Sequence, residues 1–291
     1  MQVLVTGASG LVGTALTRAL RDRGDTVIAV SRTPAADQDG LQWVGWDGLA
    51  AAVDGSSAIV HLAGANIADK RWTTTRKAEL RSSRVDTAQR IVDAIRVASD
   101  KPSVFITASA VGYYGSRGDE SLSEDAPPGA DFLAQLCQEW EAVAHDSRVR
   151  TVALRTGVVL SRHGGALPKL LVPFRFGLGG PIGRGRQYLA WVHIDDVVGV
   201  VLHALDNEEV TGPLNVVGPE SVTNATFGKA LGRALHRPAL LPMPPLIFKL
   251  RLGEGASILT ASQRAVPTRT QQLGYTFRFP TLDAALAAIL A

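Results

Sequence analysis

The sequence of 291 residues contains a single cysteine, Cys137, which excludes a disulfide framework within the chain. No apolar run approaches the roughly 20 residues that a membrane-spanning helix needs. Runs of lysine and arginine are also absent and the formal net charge is only +3, which gives nucleic-acid or membrane partners little support. No charged leader with an apolar core precedes the first apolar run, and we therefore expect a cytoplasmic protein.

The first thirteen residues carry the most specific motif. Residues 3–5 are an apolar run, and Gly7, Gly10 and Gly13 follow in the spacing G-x-x-G-x-x-G. The first glycine permits a tight turn, the second lets a pyrophosphate approach the backbone, and the third lets helix and strand pack closely. A glycine turn in an ordinary α/β unit is the alternative, but the position between a strand and a helix favours dinucleotide binding.

The second apolar run, residues 26–30, ends at Ser31 and Arg32. In dinucleotide-binding folds a carboxylate at this position accepts hydrogen bonds from the 2′-hydroxyl of NAD, whereas an arginine pairs with the 2′-phosphate of NADP. The first carboxylate after this run is Asp37. The sequence therefore favours NADP(H), with a solvated loop arginine as the alternative.

Strand and helix patterns alternate along residues 1–160. Further strands are predicted at residues 41–44, 58–64, 104–109 and 152–160, and helices at 11–22, 75–98 and 132–144. This alternation implies right-handed crossovers and a Rossmann-type, doubly wound parallel sheet. The composition then shifts, and residues 161–291 are predicted to form mainly a smaller C-terminal α/β substrate domain, with residues 187–217 returning to the sheet.

Several polar side chains are candidates for chemistry. Ser109 marks the point where the carboxyl end of a predicted strand opens into a loop. His61 lies inside an apolar run, and we interpret it as a core histidine rather than a ligand. His193, Asp195 and Asp196 have the residue types of a metal site, but we predict no metal, because capping of a helix by Asp195 and core roles explain them better.

A glycine-rich stretch, residues 177–185, looks like a loop that covers a cleft. Arg175, Arg184 and Arg186 lie in or beside it. Three arginines on such a loop predict an anionic small-molecule substrate. A solvated loop explains them equally well.

Together these segments resemble the extended short-chain dehydrogenase/reductases, and within them the atypical group labelled "epimerase family protein", which has a C-terminal region of unknown function. The resemblance extends over residues 3–13, 31–32, 61–64, 83–84, 109–115, 140–141, 155–160, 174–185, 191–196 and 219–227. It implies NADP(H) as the cofactor and a C-terminal domain that closes over the nicotinamide. It supplies no substrate.

Two arguments give the predicted cofactor contacts. The strand–turn–helix motif and the small residue at the end of the 58–64 strand indicate Gly7, Gly10, Leu11, Val12, Gly13 and Gly64. The resemblance implies Ser31, Arg32, Leu62, Ala63, Glu79, Arg84 and Val158.

The chain departs from the family at the catalytic dyad. Active members use Tyr-x-x-x-Lys on one helix, where the lysine lowers the pKa of the tyrosine that exchanges a proton with the substrate. None of the four tyrosines here is followed by lysine at that spacing. Alignment on Glu141 puts Leu133 and Cys137 in the tyrosine and lysine places. Alignment on Tyr114 puts Ala110 in the place of the Ser or Thr that orients the carbonyl.

Three functions stay open. The first is an NADP(H)-dependent oxidoreductase acting on an unknown small carbonyl or alcohol substrate, with Ser109, Tyr113 and Tyr114 as catalytic candidates. The second is a non-catalytic NADP(H)-binding redox sensor, which the absent dyad favours. The third is a nucleotide-sugar epimerase. The arginine-rich loop over a cleft favours the first, and the sequence leaves the oligomeric state open.

Overall fold

A computed structural model describes residues 1–291. The strands are β1 (Gln2–Thr6), β2 (Thr26–Val30), β3 (Leu41–Val44), β4 (Ala58–His61), β5 (Val104–Ala110), β6 (Ser121–Leu122), β7 (Arg150–Thr156), β8 (Val158–Leu160), β9 (Tyr188–Leu189), β10 (Trp191–His193), β11 (Gly212–Val216), β12 (Val222–Thr223) and β13 (Arg264–Ala265). The α-helices are α1 (Leu11–Asp22), α2 (Leu49–Val53), α3 (Thr74–Arg81), α4 (Thr87–Val97), α5 (Phe132–His145), α6 (Leu167–Arg175), α7 (Ile194–Asp206), α8 (Asn224–Ala234), α9 (Pro245–Leu252), α10 (Ser257–Thr260), α11 (Thr268–Gln272) and α12 (Leu282–Leu290).

Seven strands form one parallel sheet in the order β11-β7-β5-β4-β1-β2-β3. The order runs from β1 toward β2 on one side and toward β4 on the other, so β1 marks the switch point at which open α/β sheets bind ligands. Thr6 at the end of β1 pairs with Val30 and His61, which places the carboxyl ends of these three strands at one edge. The predicted Rossmann-type fold is confirmed.

The sheet is covered on both faces because its strands bury both sets of side chains. Val3 and Val5 pack toward α1 and α7, whereas Leu4 packs toward α2 and α4. On α1, Leu16 and Leu20 are one turn apart and fully buried. Burial of each such side chain stabilises the fold by about 1.5–3 kcal/mol. The apolar stripe of α1 thus fixes the helix that follows the glycine turn.

The predicted strand 152–160 is not continuous: it breaks at Gly157 into β7 and β8. The Gly157 N–H donates to the Val216 carbonyl at 3.1 Å, and a Cβ at residue 157 would lie 2.7 Å from the Ala190 carbonyl oxygen. Only glycine fits this close approach. The chain therefore leaves the large sheet after β7, and β8 pairs with β10 in a separate sheet.

The predicted helix 75–98 contains an internal change of helical type. The side chain of Thr73 caps the start of α3 by accepting a hydrogen bond from the Arg76 N–H. A π-helical turn, Ser82–Asp86, then separates α3 from α4. Such turns occur often at functional sites, and this one carries Arg84.

After β8 the chain builds a second core and also returns to the first. Helices α6, α8 and α12 pack around the fully buried Trp191. Helix α7 covers the large sheet, and β11 forms its edge beside β7. Near the C-terminus, β13 pairs with β6. No helix has the length and apolarity needed to cross a membrane.

Candidate cofactor and active site

Glycines shape the turn between β1 and α1. Gly7 has a φ of +74°, and a Cβ there would lie 2.8 Å from the Ala63 backbone nitrogen, just beyond β4. A Cβ at Gly13 would overlap the Gly7 carbonyl oxygen, so α1 packs directly on the turn. Gly10 is exposed and lies at the N-cap of α1. The turn is therefore a cradle lined by backbone, which side chains at these positions would fill.

The first turn of α1 leaves backbone donors unused. The Thr14 N–H bonds to the Gly10 carbonyl at 2.9 Å, whereas the N–H groups of Leu11, Val12 and Gly13 precede the first bond of the helix. Gly10 supplies no side-chain cap, and the first turn has no acidic residue. Free N–H groups at the positive end of a helix dipole fit the pyrophosphate of a dinucleotide.

The end of β2 presents an unpaired cation. Ser31 folds back locally, since its hydroxyl accepts a hydrogen bond from the Thr33 N–H at 3.2 Å. Arg32 is exposed, and its guanidinium makes no ion pair or hydrogen bond within the chain. Asp37 accepts a hydrogen bond from the Trp43 N–H at 2.7 Å. The carboxylate nearest in sequence is thus engaged, and Arg32 is free to bind an anion.

The loop after β4 approaches the cradle through small residues. Leu62 and Ala63 are half-buried, and Gly64 is exposed. A Cβ at Gly64 would lie 3.0 Å from Arg84 Cζ, so the guanidinium packs against the loop backbone. Arg84 also donates to the Ala65 carbonyl at 2.9 Å, and burial lowers its pKa. Arg84 therefore supports the loop that faces Gly7.

His61 is a core residue, as its apolar surroundings in the sequence predict. Its Nδ1 lies 2.6 Å from the Thr6 hydroxyl. Burial lowers its pKa to about 4, so the ring is neutral at pH 7.

Glu79 is already engaged by another side chain. Arg76 donates to its carboxylate at 2.6 Å and to that of Asp69 at the same distance. The guanidinium of Arg76 also contacts the Asn66 carbonyl. Arg76 therefore ties Glu79 of α3 to the loop after β4, and the half-exposed carboxylate is bonded through one oxygen only.

The segment after β8 covers the start of α1. The Val158 N–H donates to the Ala190 carbonyl at 2.8 Å, which fixes the beginning of β8. Further along, a Cβ at Gly164 would lie 3.3 Å from a Leu11 methyl carbon, and one at Gly165 would lie 3.1 Å from the other. Loop 161–166 thus lies on Leu11, beside the cradle.

Ser109, the first catalytic candidate, is buried, with 5% of its surface exposed. Its hydroxyl donates to the Glu141 carboxylate at 2.5 Å. The same carboxylate accepts two hydrogen bonds from Arg155, at 2.9 and 2.8 Å. The hydroxyl is committed to this cluster, and the geometry does not support Ser109 as a proton donor.

Tyr114, the second candidate, has no exposed surface. Its hydroxyl donates to Asn215 Oδ1 at 2.7 Å and accepts a hydrogen bond from Arg155 at 3.1 Å. Burial raises its pKa to about 12. Because this hydroxyl is buried and bonded to Asn215 and Arg155, it cannot reach a substrate. Tyr114 therefore has a structural role in the core beneath the loop after β5.

Tyr113 is the candidate with a free hydroxyl. Its ring is half-buried and lies on the Arg155 guanidinium, 3.4 Å from the ring centroid, while its hydroxyl has no partner in the chain. Burial alone would lower the pKa of Arg155, but hydrogen bonds and charge from Glu141 raise it overall. Arg155 is therefore a permanent cation beneath the Tyr113 ring.

The positions that align with the missing dyad face the turn after β5. A Cβ at Gly112 would lie 3.3 Å from Leu133 Cβ, and the Cys137 thiol donates weakly to the Ala110 carbonyl at 3.8 Å. Burial, followed by the charge of Glu141, raises the pKa of Cys137 to about 11. Neither side chain can exchange a proton readily at pH 7.

His193, and not Asp195, caps α7. The helix begins at Ile194, two residues earlier than capping by Asp195 requires, and His193 Nδ1 accepts a hydrogen bond from the Asp195 N–H at 3.0 Å. Asp196 is fully buried and accepts hydrogen bonds from the Tyr275 hydroxyl at 3.0 Å and two backbone N–H groups, of residues 278 and 279. These side chains hold the C-terminal segment and do not converge as metal ligands.

The three arginines of the glycine-rich region are exposed, and none forms an ion pair. Arg175 lies at the end of α6, whereas Arg184 and Arg186 flank Gly185 on the loop before β9. Gly185 has a φ of +63°, and its backbone packs against Ala225 at the start of α8. The loop is thus held at its glycine while both neighbouring guanidinium groups stay free.

Sequence reasoning missed two residues that organise this edge of the sheet. Glu124 is buried and accepts hydrogen bonds from the Asn215, Arg269 and Thr270 N–H groups at 3.0–3.4 Å. The Asn215 amide donates to the Leu122 and Val266 carbonyls. A polar residue in the middle of an apolar strand was the available signal for Asn215. The loop before α5 offers no comparable signal for Glu124.

The cradle at the switch point, with the loops after β4 and β8 beside it, defines the class: an NAD(P)-binding protein of the extended short-chain dehydrogenase/reductase type. The chain belongs to the NAD dependent epimerase/dehydratase family, whose sequence model matches residues 3–218. A domain of unknown function, DUF1731, matches residues 243–289. The resemblance seen in the sequence is therefore confirmed.

Relatives with the same architecture extend over the full chain. Epimerase family protein SDR39U1 of Bos taurus is 42% identical over 299 residues, covering 100% of both chains. The crystal structure of human SDR39U1 with NADPH is also 42% identical and has a TM-score of 0.94, covering 100% of this chain and 99% of the human one. A structure described as the nucleoside-diphosphate sugar epimerase of Corynebacterium glutamicum is 34% identical with a TM-score of 0.81, covering 100% of this chain and 58% of that one.

Proposed function

We propose that this protein is an NADP(H)-dependent oxidoreductase that acts on a small carbonyl or alcohol substrate and uses Tyr113 as its proton donor. The observation that carries the cofactor assignment is the free guanidinium of Arg32 at the end of β2, with Asp37 engaged elsewhere. The backbone cradle between β1 and α1 fits a pyrophosphate, and the human relative was crystallised with NADPH. Both support NADP(H).

Tyr113 suits proton transfer for two reasons. Its hydroxyl is free, and its ring lies on the Arg155 cation, which stabilises the negative charge that develops on a phenol as it donates. NADPH, when bound, supplies the hydride. The chain then has to deliver a proton to the substrate oxygen, and no residue of α5 at the dyad positions can do so.

Arg184 and Arg186 support a substrate with an anionic group. Both are exposed, neither has a carboxylate partner, and each neighbours Gly185, which anchors the loop. A guanidinium binds carboxylate or phosphate through paired hydrogen bonds, so the two side chains suit recognition of an acidic carbonyl compound.

A second function is favoured by a different observation. Leu133 and the buried Cys137 replace the dyad of active family members, and Ser109 and Tyr114 are committed to internal hydrogen bonds. A protein that binds NADP(H) without turnover, as a redox sensor, needs no proton donor. This function predicts tight cofactor binding and no reaction with any substrate.

The test is a screen of carbonyl compounds, acidic ones and nucleotide sugars included, for oxidation of NADPH. We expect turnover, and we expect Tyr113→Phe to reduce it by about 10²- to 10⁴-fold with unchanged NADPH affinity. Tyr114→Phe is the matched control. It should lower the melting temperature, because it removes a buried hydrogen bond, and it should leave the rate of NADPH oxidation nearly unchanged. Loss of rate only in Cys137→Ala would overturn the placement, and no oxidation across the panel would favour the sensor.

A further inference from the structure

The fold leaves one part of the surface apolar and basic at the same time. We propose that this face docks on an anionic lipid bilayer, with its apolar side chains at the level of the headgroups and its cations on lipid phosphates. This α6–α9 face consists of residues 172–178, around the end of α6, and residues 240–251, which include most of α9.

Exposed apolar side chains are concentrated on this face. Ten large apolar residues of the chain are strongly exposed, and eight of them lie in these two segments. Phe176 is 76% exposed and Leu240 is 79% exposed. On α9, Leu246, Ile247 and Leu250 are 58–68% exposed, and their spacing puts them on one side of the helix. Scattered apolar residues need no explanation, but a cluster of this kind marks an interaction surface.

Backbone contacts make the two segments one surface. The Leu241 N–H donates to the Gly179 carbonyl at 3.2 Å, and the Met243 N–H donates to the Pro181 carbonyl at 2.8 Å. The Gly183 N–H returns a bond to the Met243 carbonyl at 2.9 Å. At the far end, α9 is held to the Rossmann domain, because the Trp72 N–H donates to the Leu252 carbonyl at 3.1 Å. These hydrogen bonds hold in place the backbone that carries the exposed apolar side chains.

The charge of the face has one sign. No Asp or Glu lies between Asp146 and Asp195 or between Glu220 and Glu254. Arg175, Lys249 and Arg251 are exposed and form no ion pairs. The nearby carboxylates are neutralised: Glu254 pairs with Lys77, Asp69 with Arg76 and Asp283 with Arg233. Arg175 ends α6, whereas Lys249 and Arg251 lie on α9 with Leu250 between them, so the sequence shows no basic run.

The charge decides between a bilayer and a second copy of the chain. A two-fold contact would bring identical cationic rims together, and like charges oppose such an interface. An anionic bilayer matches both the apolar and the basic side chains of the face. Its apolar side chains can enter the boundary between headgroups and acyl chains, and its cations can bind the lipid phosphates. The protein then lies on the membrane, which agrees with the lack of a spanning helix.

Flotation of the full chain with vesicles tests the proposal. Vesicles of phosphatidylcholine with 30% phosphatidylglycerol should retain the protein, and vesicles of phosphatidylcholine alone should not. Lys249→Ala with Arg251→Ala should weaken binding by about fivefold for each charge removed, and salt should have a parallel effect. Leu246→Ser with Leu250→Ser should abolish retention. Val97→Ser, at a 78% exposed apolar position on α4, and Arg18→Ala, on α1, are matched controls that should change nothing.

Two readouts keep the outcomes separate. The α9 variants should leave NADPH affinity unchanged, which would show that they are folded and that docking is independent of the proposed reaction. Light scattering after gel filtration measures self-association. Equal retention on neutral vesicles, no retention on either kind, or loss in the control variants would overturn the proposal. A dimer that the Leu246→Ser and Leu250→Ser changes dissociate, without vesicle binding, would assign the face to a second copy.

Discussion

Replacement of Arg32 by alanine should remove the preference for NADPH over NADH. Arg32 is the cation at the end of β2, its guanidinium has no partner in the chain, and Asp37 is held by the Trp43 N–H. The 2′-phosphate is the group by which the two cofactors differ, so the change should weaken NADPH and leave NADH almost unaffected.

The size of the effect follows from the exposure of the guanidinium. Hydrogen bonds to a charged group contribute about 1.5–3 kcal/mol, and exposed pairs fall toward the lower limit because solvent and salt screen them. About 1.5 kcal/mol corresponds to roughly a tenfold change in dissociation constant. Because the pair is ionic, the preference should also shrink as the ionic strength rises.

Titration by nicotinamide fluorescence measures both cofactors directly. The wild type should bind NADPH about tenfold more tightly than NADH, and Arg32→Ala should bind the two almost equally. Arg18→Ala changes another exposed arginine without partners, on α1, and should keep the wild-type preference. Equal affinities in the wild type, or a preference that survives in Arg32→Ala, would refute the assignment.

Three further predictions concern the cradle and the buried groups. Gly13→Ala puts a Cβ against the Gly7 turn, and we expect it to lower stability by about 1–3 kcal/mol and to remove most of the NADPH affinity. Gly48→Ala is the control, because a Cβ there has its nearest neighbour at 3.7 Å, and it should leave the melting temperature unchanged. Equal effects of the two changes would contradict the cradle. Arg155→Met leaves Glu141 unpaired and should destabilise the fold by about 3–5 kcal/mol in urea unfolding, and a loss below 1 kcal/mol would refute the buried pair. The pKa of His61 falls from 6.5 to about 4 on folding, so unfolding takes up a proton between these values. The contribution of neutral His61 to the free energy of unfolding is therefore complete above pH 6.5, and about 3 kcal/mol of it is lost as the pH falls to 4. In urea unfolding at several pH values, His61→Gln should flatten the dependence of stability on pH between 4 and 6.5. An unchanged slope would exclude His61 as its source.

Local patterns were enough to predict the cofactor half of the fold. The strand, the glycine spacing and the following helix all lie within residues 1–22, and short-range sterics determine such a unit. The position of Arg32 follows from the end of one buried strand. Neither prediction depends on distant contacts, which is why both could be made before the structure was known.

The catalytic candidates needed information that the sequence does not hold. Successive side chains of a strand point to opposite faces, so Ser109 contacts Glu141 while Ala110 takes the other face of β5. Tyr113 and Tyr114 are adjacent and chemically identical, yet only the contacts with Arg155 and Asn215 show which hydroxyl is engaged. Glu79 is a cofactor contact only by resemblance, and its ion pair with Arg76 could not be assigned from spacing alone.

Two buried carboxylates, Glu124 and Asp196, make folding of the chain during synthesis depend on residues near the C-terminus. Glu124 is satisfied by backbone groups of residues 269 and 270, and Asp196 by donors at residues 275, 278 and 279. A nascent chain that ends before these residues lacks those donors, and Glu124 keeps only the bond from the Asn215 N–H, so both carboxylates stay hydrated and this part of the core stays open. The Rossmann sheet therefore cannot reach its final stability on the ribosome until the last segment of the chain has emerged. Truncations that stop just after β11, near residue 217, should accumulate as partly folded species that need chaperones.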